Sequence, residues 1–251
     1  MKKLLTLVLL LVCSLTFAGQ GMSPGMGQVA YGGGGGGVAL VDSGAGYIET
    51  NSQTTVTLSA TVTAGANLLV VFTTGTVDSA NTHPTGVTYN GVAMTNLSAA
   101  NANADWYGST YPTSDIWYLL SPATGAAHNI VATWAASKDS HALAWSSFSG
   151  ANATTPMSGG VGANAPADTD ESSTSVTPTG FTSGDIIVGV ATARSGSITS
   201  LTAGQTSLVA FGNAGVNNMS LSQYRTTTGA ITSTIVGDTS SWASSAGVIK
   251  Q

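Results

Sequence analysis

The sequence predicts an all-β protein: a two-sheet antiparallel β-sandwich of roughly a dozen strands, jelly-roll-like in arrangement, with another Greek-key order as the alternative. Three observations predict it. Short apolar runs alternate with Gly, Asn, Ser and Thr turns, and no stretch keeps helix periodicity for a useful length. Two runs, NLLVVFTT (67–74) and DIIVGVATA (185–193), are apolar at successive positions, as strands covered on both faces are. The chain is 42% apolar and only 7% charged, against a usual quarter, which allows a sizeable core under a polar, nearly uncharged surface.

Residues 1–18, MKKLLTLVLLLVCSLTFA, read as a secretory signal: Lys2 and Lys3, an apolar centre from Leu4 to Val12, and Thr16-Phe17-Ala18 as a cleavage site. The apolar run is shorter than the roughly 20 residues of a membrane span. Cys13 is the one cysteine and lies inside this signal, and Val12 before it is too large for lipid attachment. The mature chain then has no disulfide, and a core of this size does not require one. It keeps Lys138, Arg194, Arg225 and Lys250 against eleven acidic residues, a net charge of −7. Nucleic acid binding depends on clustered cations, so it is excluded. Residues 19–37, ending in six glycines, read as a flexible linker. A single domain is expected over 38–251.

The strands follow in order. Val38 to Val41 is short and runs into an Asp-Ser-Gly-Ala-Gly turn. Thr55 to Thr61 alternates, with Val56, Leu58 and Ala60 on one face. After the run at 67–74, Val87 to Leu97 is a hairpin around Asn90-Gly91, the dipeptide suited to two positive φ angles. Thr113 to Gly150 reads as three strands with Trp117, Trp134 and Trp145, all expected in the core. A hairpin turn at Lys138-Asp139 pairs residues whose numbers sum to about 277. That register sets Trp134 opposite Leu143 and Trp145 opposite Ala132, and gives Ile130, Ala132, Trp134, Leu143 and Trp145 one bulky core face. Ser158 to Ser172 is expected as a loop. Strands are expected at Thr174 to Thr177, 185–193, Ser207 to Phe211, Met219 to Tyr224, Ile231 to Val236 and Trp242 to Ile249. No internal repeat with a clean period is visible.

The runs NLLVVFTTG, VTYNGVAMT, DIWYLLSPATGAAHNIVATW, FSGANATTP and SGDIIVGVATA resemble a recurring jelly-roll-like β-sandwich module of bacterial secreted and surface proteins. The resemblance spans Val38 to Gln251. It implies a lectin- or carbohydrate-binding-module-like (concanavalin-like) fold and an extracellular or cell-surface setting, with the periplasm as the alternative. Its motifs are structural, so it carries over no functional residue.

Catalytic patterns do not survive their context. Gly21-Met22-Ser23-Pro24-Gly25 matches G-x-S-x-G but sits in the linker, without the strand and helix that a nucleophile elbow requires. Residues 160–165, GVGANA, lack a βαβ setting for a dinucleotide. In the hairpin register His128 and His141 are about 20 Å apart, so they share no metal, and the histidines are expected as isolated edge residues. Asp168, Asp170 and Glu171 form an acidic loop; a solvated loop and a calcium site are the two readings, and no other cofactor is implied. Asp105 and Asp115 flank one loop and are the candidates for a glycosidase carboxylate pair. Between them lie Trp106, Tyr107 and Tyr111. Amphipathic rings on a polar loop suit stacking on sugars, and with Asp105 they are the candidate ligand-binding residues. The alternative is that Trp106 folds back onto the sandwich edge.

The expected function is extracellular or cell-surface binding or adhesion without catalysis, with glycan or a surface protein as partner. The alternatives are an extracellular glycan-active hydrolase and a structural subunit of a surface or phage-like assembly.

Overall fold

The computed structural model describes residues 36–48, 53–77, 83–97, 101–103, 111–138, 140–165, 173–193, 197–200, 203–213, 218–236 and 241–251. The stretch read as a signal, most of that read as a linker and the G-x-S-x-G match lie outside them. Among the described residues there is no helix, and none long and apolar enough to cross a membrane.

The first half of the chain holds β1 (Ala39–Ile48), β2 (Gln53–Thr61), β3 (Leu68–Val77), β4 (Gly86–Tyr89), β5 (Val92–Ala93), β6 (Thr95–Asn96), β7 (Ala102–Asn103), β8 (Tyr111–Leu120), β9 (Ala127–Lys138) and β10 (Ser140–Ser149). The second half holds β11 (Met157–Ala165), β12 (Ser173–Val176), β13 (Ile186–Ala193), β14 (Ser197–Ser200), β15 (Gln205–Asn213), β16 (Asn218–Arg225), β17 (Ile231–Val236) and β18 (Trp242–Ile249). All pairings are antiparallel.

Two sheets were expected; four are present. Sheet A runs β1-β10-β3-β8-β6, with β7 also on β8, and sheet B runs β2-β9-β4-β5. Sheet C runs β11-β18-β13-β16-β15, and sheet D runs β12-β17-β14. They stack face to face in the order B, A, C, D. Val56, Tyr89, Ile130 and Trp134 of sheet B meet Leu69, Val71, Trp117, Leu143 and Trp145 of sheet A. The opposite face of sheet A, with Leu68, Val70, Phe72, Ile116 and Phe148, meets Ile186, Val188, Val190 and Ile249 of sheet C. Sheet C then covers sheet D through Ile187, Ile231 and Val248 and through Leu221, Ile235 and Trp242. This layering explains why the runs at 67–74 and 185–193 lack alternation. Each forms an interior strand of a sheet that has another sheet on both faces.

The strand order of A and B recurs in C and D. β1, β10, β3 and β8 stand as β11, β18, β13 and β16 do, and β2, β9 and β4 stand as β12, β17 and β14 do. Register fixes the residue equivalence. Leu68 pairs with Phe148 as Ile186 pairs with Ile249. Thr73 pairs with Asp115 as Ala191 pairs with Leu221. Gly75 pairs with His141 as Ala193 pairs with Trp242. The chain therefore contains two sandwich-like units of one design, joined through their larger sheets.

Three local expectations change. β9 and β10 do not form a hairpin: β9 pairs with β2 and β4 in sheet B, whereas β10 pairs with β1 and β3 in sheet A. Lys138 ends a strand of sheet B and Ser140 begins one of sheet A. The five residues assigned to one face do share one core, but they reach it from opposite sheets. Second, β1 runs through the Asp-Ser-Gly-Ala-Gly segment that was read as a turn. Gly44 is there because the ring of Trp145 lies over it: a Cβ would sit 2.8 Å from Trp145 Nε1. Third, the described part of the stretch expected as a loop, from Ser158 to Ala165, lies in strand β11, with an irregularity between Ser158 and Val161. The Asn90-Gly91 turn is as expected, with φ of 51° and 75° between paired Tyr89 and Val92.

The first and last described residues meet in the second unit. Val38 N donates to Gly184 O at 2.9 Å, Gln251 Nε2 donates to Gly36 O, and Lys250 Nζ pairs with the Asp185 carboxylate.

Candidate functional site

Polarity changes along the strands. At the end where β3 begins, the layers meet through Leu, Val, Ile and Phe. At the end where β3 finishes, buried hydroxyls take over. Between sheets A and C, Thr74 and Ser220 share a hydrogen bond of 2.9 Å, Ser220 Oγ donates to Thr192 Oγ1 at 3.1 Å, and Ser114 and Ser245 are bonded at 2.7 Å. Burying a hydroxyl costs free energy unless it is bonded, and these pairs meet that need.

Between sheets A and B the same end holds charged groups. Asp115, on β8, is fully buried. One carboxylate oxygen lies 2.7 Å from His83 Nδ1, at ion-pair distance and off the line of the ring N–H. The other accepts from Thr73 Oγ1 at 3.2 Å. His83 belongs to the segment entering β4, held where Thr85 N donates to Thr133 O at 2.7 Å. The pair thus ties the β4 side of the sandwich to sheet A. Two strands over, beyond β3, His141 is buried at the start of β10 and stacks on Trp134 across the layer, centroids 3.9 Å apart and planes 18° apart. Gly75 makes room for it, since a Cβ there would lie 3.1 Å from His141 Nδ1.

Burial pulls the His83 pKa down, but the Asp115 carboxylate beside the ring outweighs it, so the net shift is upward. Burial pushes the Asp115 pKa up, and His83 and Thr73 offset only part of that. The pair therefore holds protons more tightly than the same groups in water.

The second unit shows what this position requires of the fold. Where the first unit has Thr73, Asp115 and His141, the second has Ala191, Leu221 and Trp242. Those three pack with Ile198 and Ile235 as an apolar cluster. The architecture is complete without a charge there.

Of the residues singled out from sequence, Asp105, Trp106, Tyr107, Asp168, Asp170 and Glu171 lie outside the described residues. Tyr111 opens β8, paired with Val77, and its side chain lies outside them as well. The segment 104–110 leaves from Asn103 and returns at Tyr111, next to the Asn103–Thr113 pair, so both of its roots are at the polar end. Asp115 is not the open carboxylate expected of a glycosidase pair, because it is sealed beneath His83. His83 and His141 are not isolated edge residues either: His83 faces a carboxylate, and β10 lies between β1 and β3. His128 does stand apart, on sheet B with its ring edge-on to Tyr89 at 5.6 Å. It borders an open groove of about 420 Å³ lined by Thr88, Asn90, Gly91 and Asn129, at the other end of β9 from Trp134. That groove contains no acid-base pair. Among the described residues no group of three or more His, Cys, Asp or Glu is placed to hold a metal.

No family model, curated protein or solved structure gives a significant match to the chain.

Proposed function

We propose that the protein is a secreted, non-catalytic binding protein, extracellular or at a cell surface. Its ligand-facing end is the polar end of the first unit, and its ligand class is glycan. The observation that carries this reading is the His83–Asp115–Thr73 cluster, its carboxylate fully buried, at a place the second unit fills with apolar side chains. A buried ion pair contributes little net stability, so its presence where the fold does not need it points to a role in function. The cluster lies beneath the strand ends that root the Asp105, Trp106 and Tyr107 segment, and binding residues concentrate on loops held by a rigid scaffold.

Each unit is read as a jelly roll. With β6 and β7 taken as edge additions, the first unit sets β1-β10-β3-β8 against β2-β9-β4-β5, the order that two interlocked Greek keys give. The second unit repeats it without a counterpart of β5 in sheet D. The burial of Asp115 removes one partner from the glycosidase alternative, which needs two carboxylates facing a cleft.

On a glycan array the chain is expected to bind hydroxyl-rich glycans. Trp106→Ala is expected to weaken that binding by roughly tenfold or more, the scale of a stacking anchor. Absence of binding to any glycan overturns the proposal.

A further inference from the structure

We propose that His83 is the ligand-contacting group of the polar end: a charged hydrogen-bond donor, fixed from behind by Asp115, that meets the oxygen atoms of a neutral, hydroxyl-rich glycan. The inference rests on the binding reading above and adds the contact residue, the ligand's charge class and a pH signature.

The geometry separates the two sides of the ring. Nδ1 is sealed against Asp115, yet 23% of the side chain is open to solvent. The open part therefore excludes Nδ1, and Nε2 is the ring nitrogen left to face a ligand. A carboxylate behind Nδ1 favours the protonated ring, and the protonated ring offers its second N–H at Nε2. Thr73 holds the carboxylate from the other side, so the ring's partner is fixed. A donor that carries charge makes hydrogen bonds roughly twice as strong as a neutral one. The titratable groups on the described elements at this end are Asp115 from β8 and His141 from β10; β3 contributes Thr73 and Gly75, and β9 contributes Trp134.

Charge argues for a neutral ligand. His83 and Asp115 together are neutral, and the mature chain expected from the sequence carries a net −7, which repels an acidic polysaccharide. Hydroxyl oxygens accept from the ring without that repulsion.

Two measurements on the full chain test this. In the first, the His83 ring proton is followed by NMR against pH and assigned by its loss in His83→Gln. Its midpoint is expected above the roughly 6.5 of free imidazole. A midpoint at or below that value overturns the inference. In the second, neutral and acidic oligosaccharides are titrated at pH 6 and pH 9 against wild type, His83→Gln and Trp106→Ala. Wild-type affinity for neutral oligosaccharides is expected to fall roughly tenfold or more at pH 9, and His83→Gln is expected to be weak and flat with pH. Trp106→Ala is expected to be weak at both pH values. If His83→Gln binds like wild type and neither responds to pH, the inference falls while the binding reading stands. Preference for acidic oligosaccharides also overturns it. If wild type binds neither class, both fall together.

Discussion

His83→Ala is expected to cost about 3–5 kcal/mol in urea unfolding at pH 7, although the side chain it removes is partly open to solvent. The cost comes from what is left behind. Asp115 is fully buried, and without His83 its described partner is the hydroxyl of Thr73 alone. A buried carboxylate stripped of its counter-ion must either stay charged without compensation or take up a proton. The penalty should therefore shrink as pH falls and Asp115 protonates. The wild-type protein should show the matching linkage. His83 and Asp115 both have raised native pKa values, so the native state binds more protons than the unfolded chain, and stability falls as pH rises. For His83 the contribution is complete below about 6.5 and is lost as pH climbs through the raised native value. For Asp115 the loss begins above 3.8 and continues through its raised native value. A His83→Ala cost below about 1 kcal/mol at pH 7 contradicts the ion-pair assignment, and stability that rises across this range contradicts the raised native pKa values.

Trp145→Ala should match it, at about 3–5 kcal/mol, by a different mechanism. Trp145 is 7% exposed and packs in the core between sheets A and B, over the bare backbone of Gly44. Removing the ring leaves a cavity that a glycine cannot fill, and the neighbours on β1 and β3 are held by ladder pairing. The loss should be insensitive to pH, since Trp145 does not titrate. Parallel urea series on the two variants separate the mechanisms: one cost varies with pH and the other does not. A near-neutral Trp145→Ala contradicts the packing.

The strands themselves were legible. Alternation in TVTLSAT, the unbroken runs at 67–74 and 185–193, and Asn90-Gly91 each follow from backbone geometry, and each stands where expected. What the sequence hides is which sheet a strand joins. A single residue between β9 and β10 reads as a tight hairpin, because local spacing does not distinguish a turn within a sheet from a crossing between layers. Glycines in β1 and β11 read as a turn and a loop, yet Gly44 and Gly162 serve close approach, of Trp145 and of the Asn101 carbonyl respectively. The duplication was hidden because the equivalent runs NLLVVFTTG and DIIVGVATA share apolar character more than identity, and differ at Thr73/Ala191. For the same reason the polar cluster was missed. Thr73, His83 and Asp115 come from three separate segments, and no spacing rule joins them. One signal was present: the polar triplet Thr113-Ser114-Asp115 inside an otherwise strand-forming run, which proves to be buried.

On the binding proposal, this cluster exists for binding and not for folding. The triple variant Thr73→Ala/His83→Ala/Asp115→Leu tests it, since its changes at 73 and 115 give the first unit the residues that the second carries at those places. Replacing a buried ion pair wholly by apolar side chains is often neutral or stabilising by about 1–4 kcal/mol, so the variant should fold at least as stably as wild type. The decisive measurement is its glycan binding once folding is verified. The expected result is a folded protein whose binding has fallen roughly tenfold or more. A folded variant that binds as wild type does contradicts it.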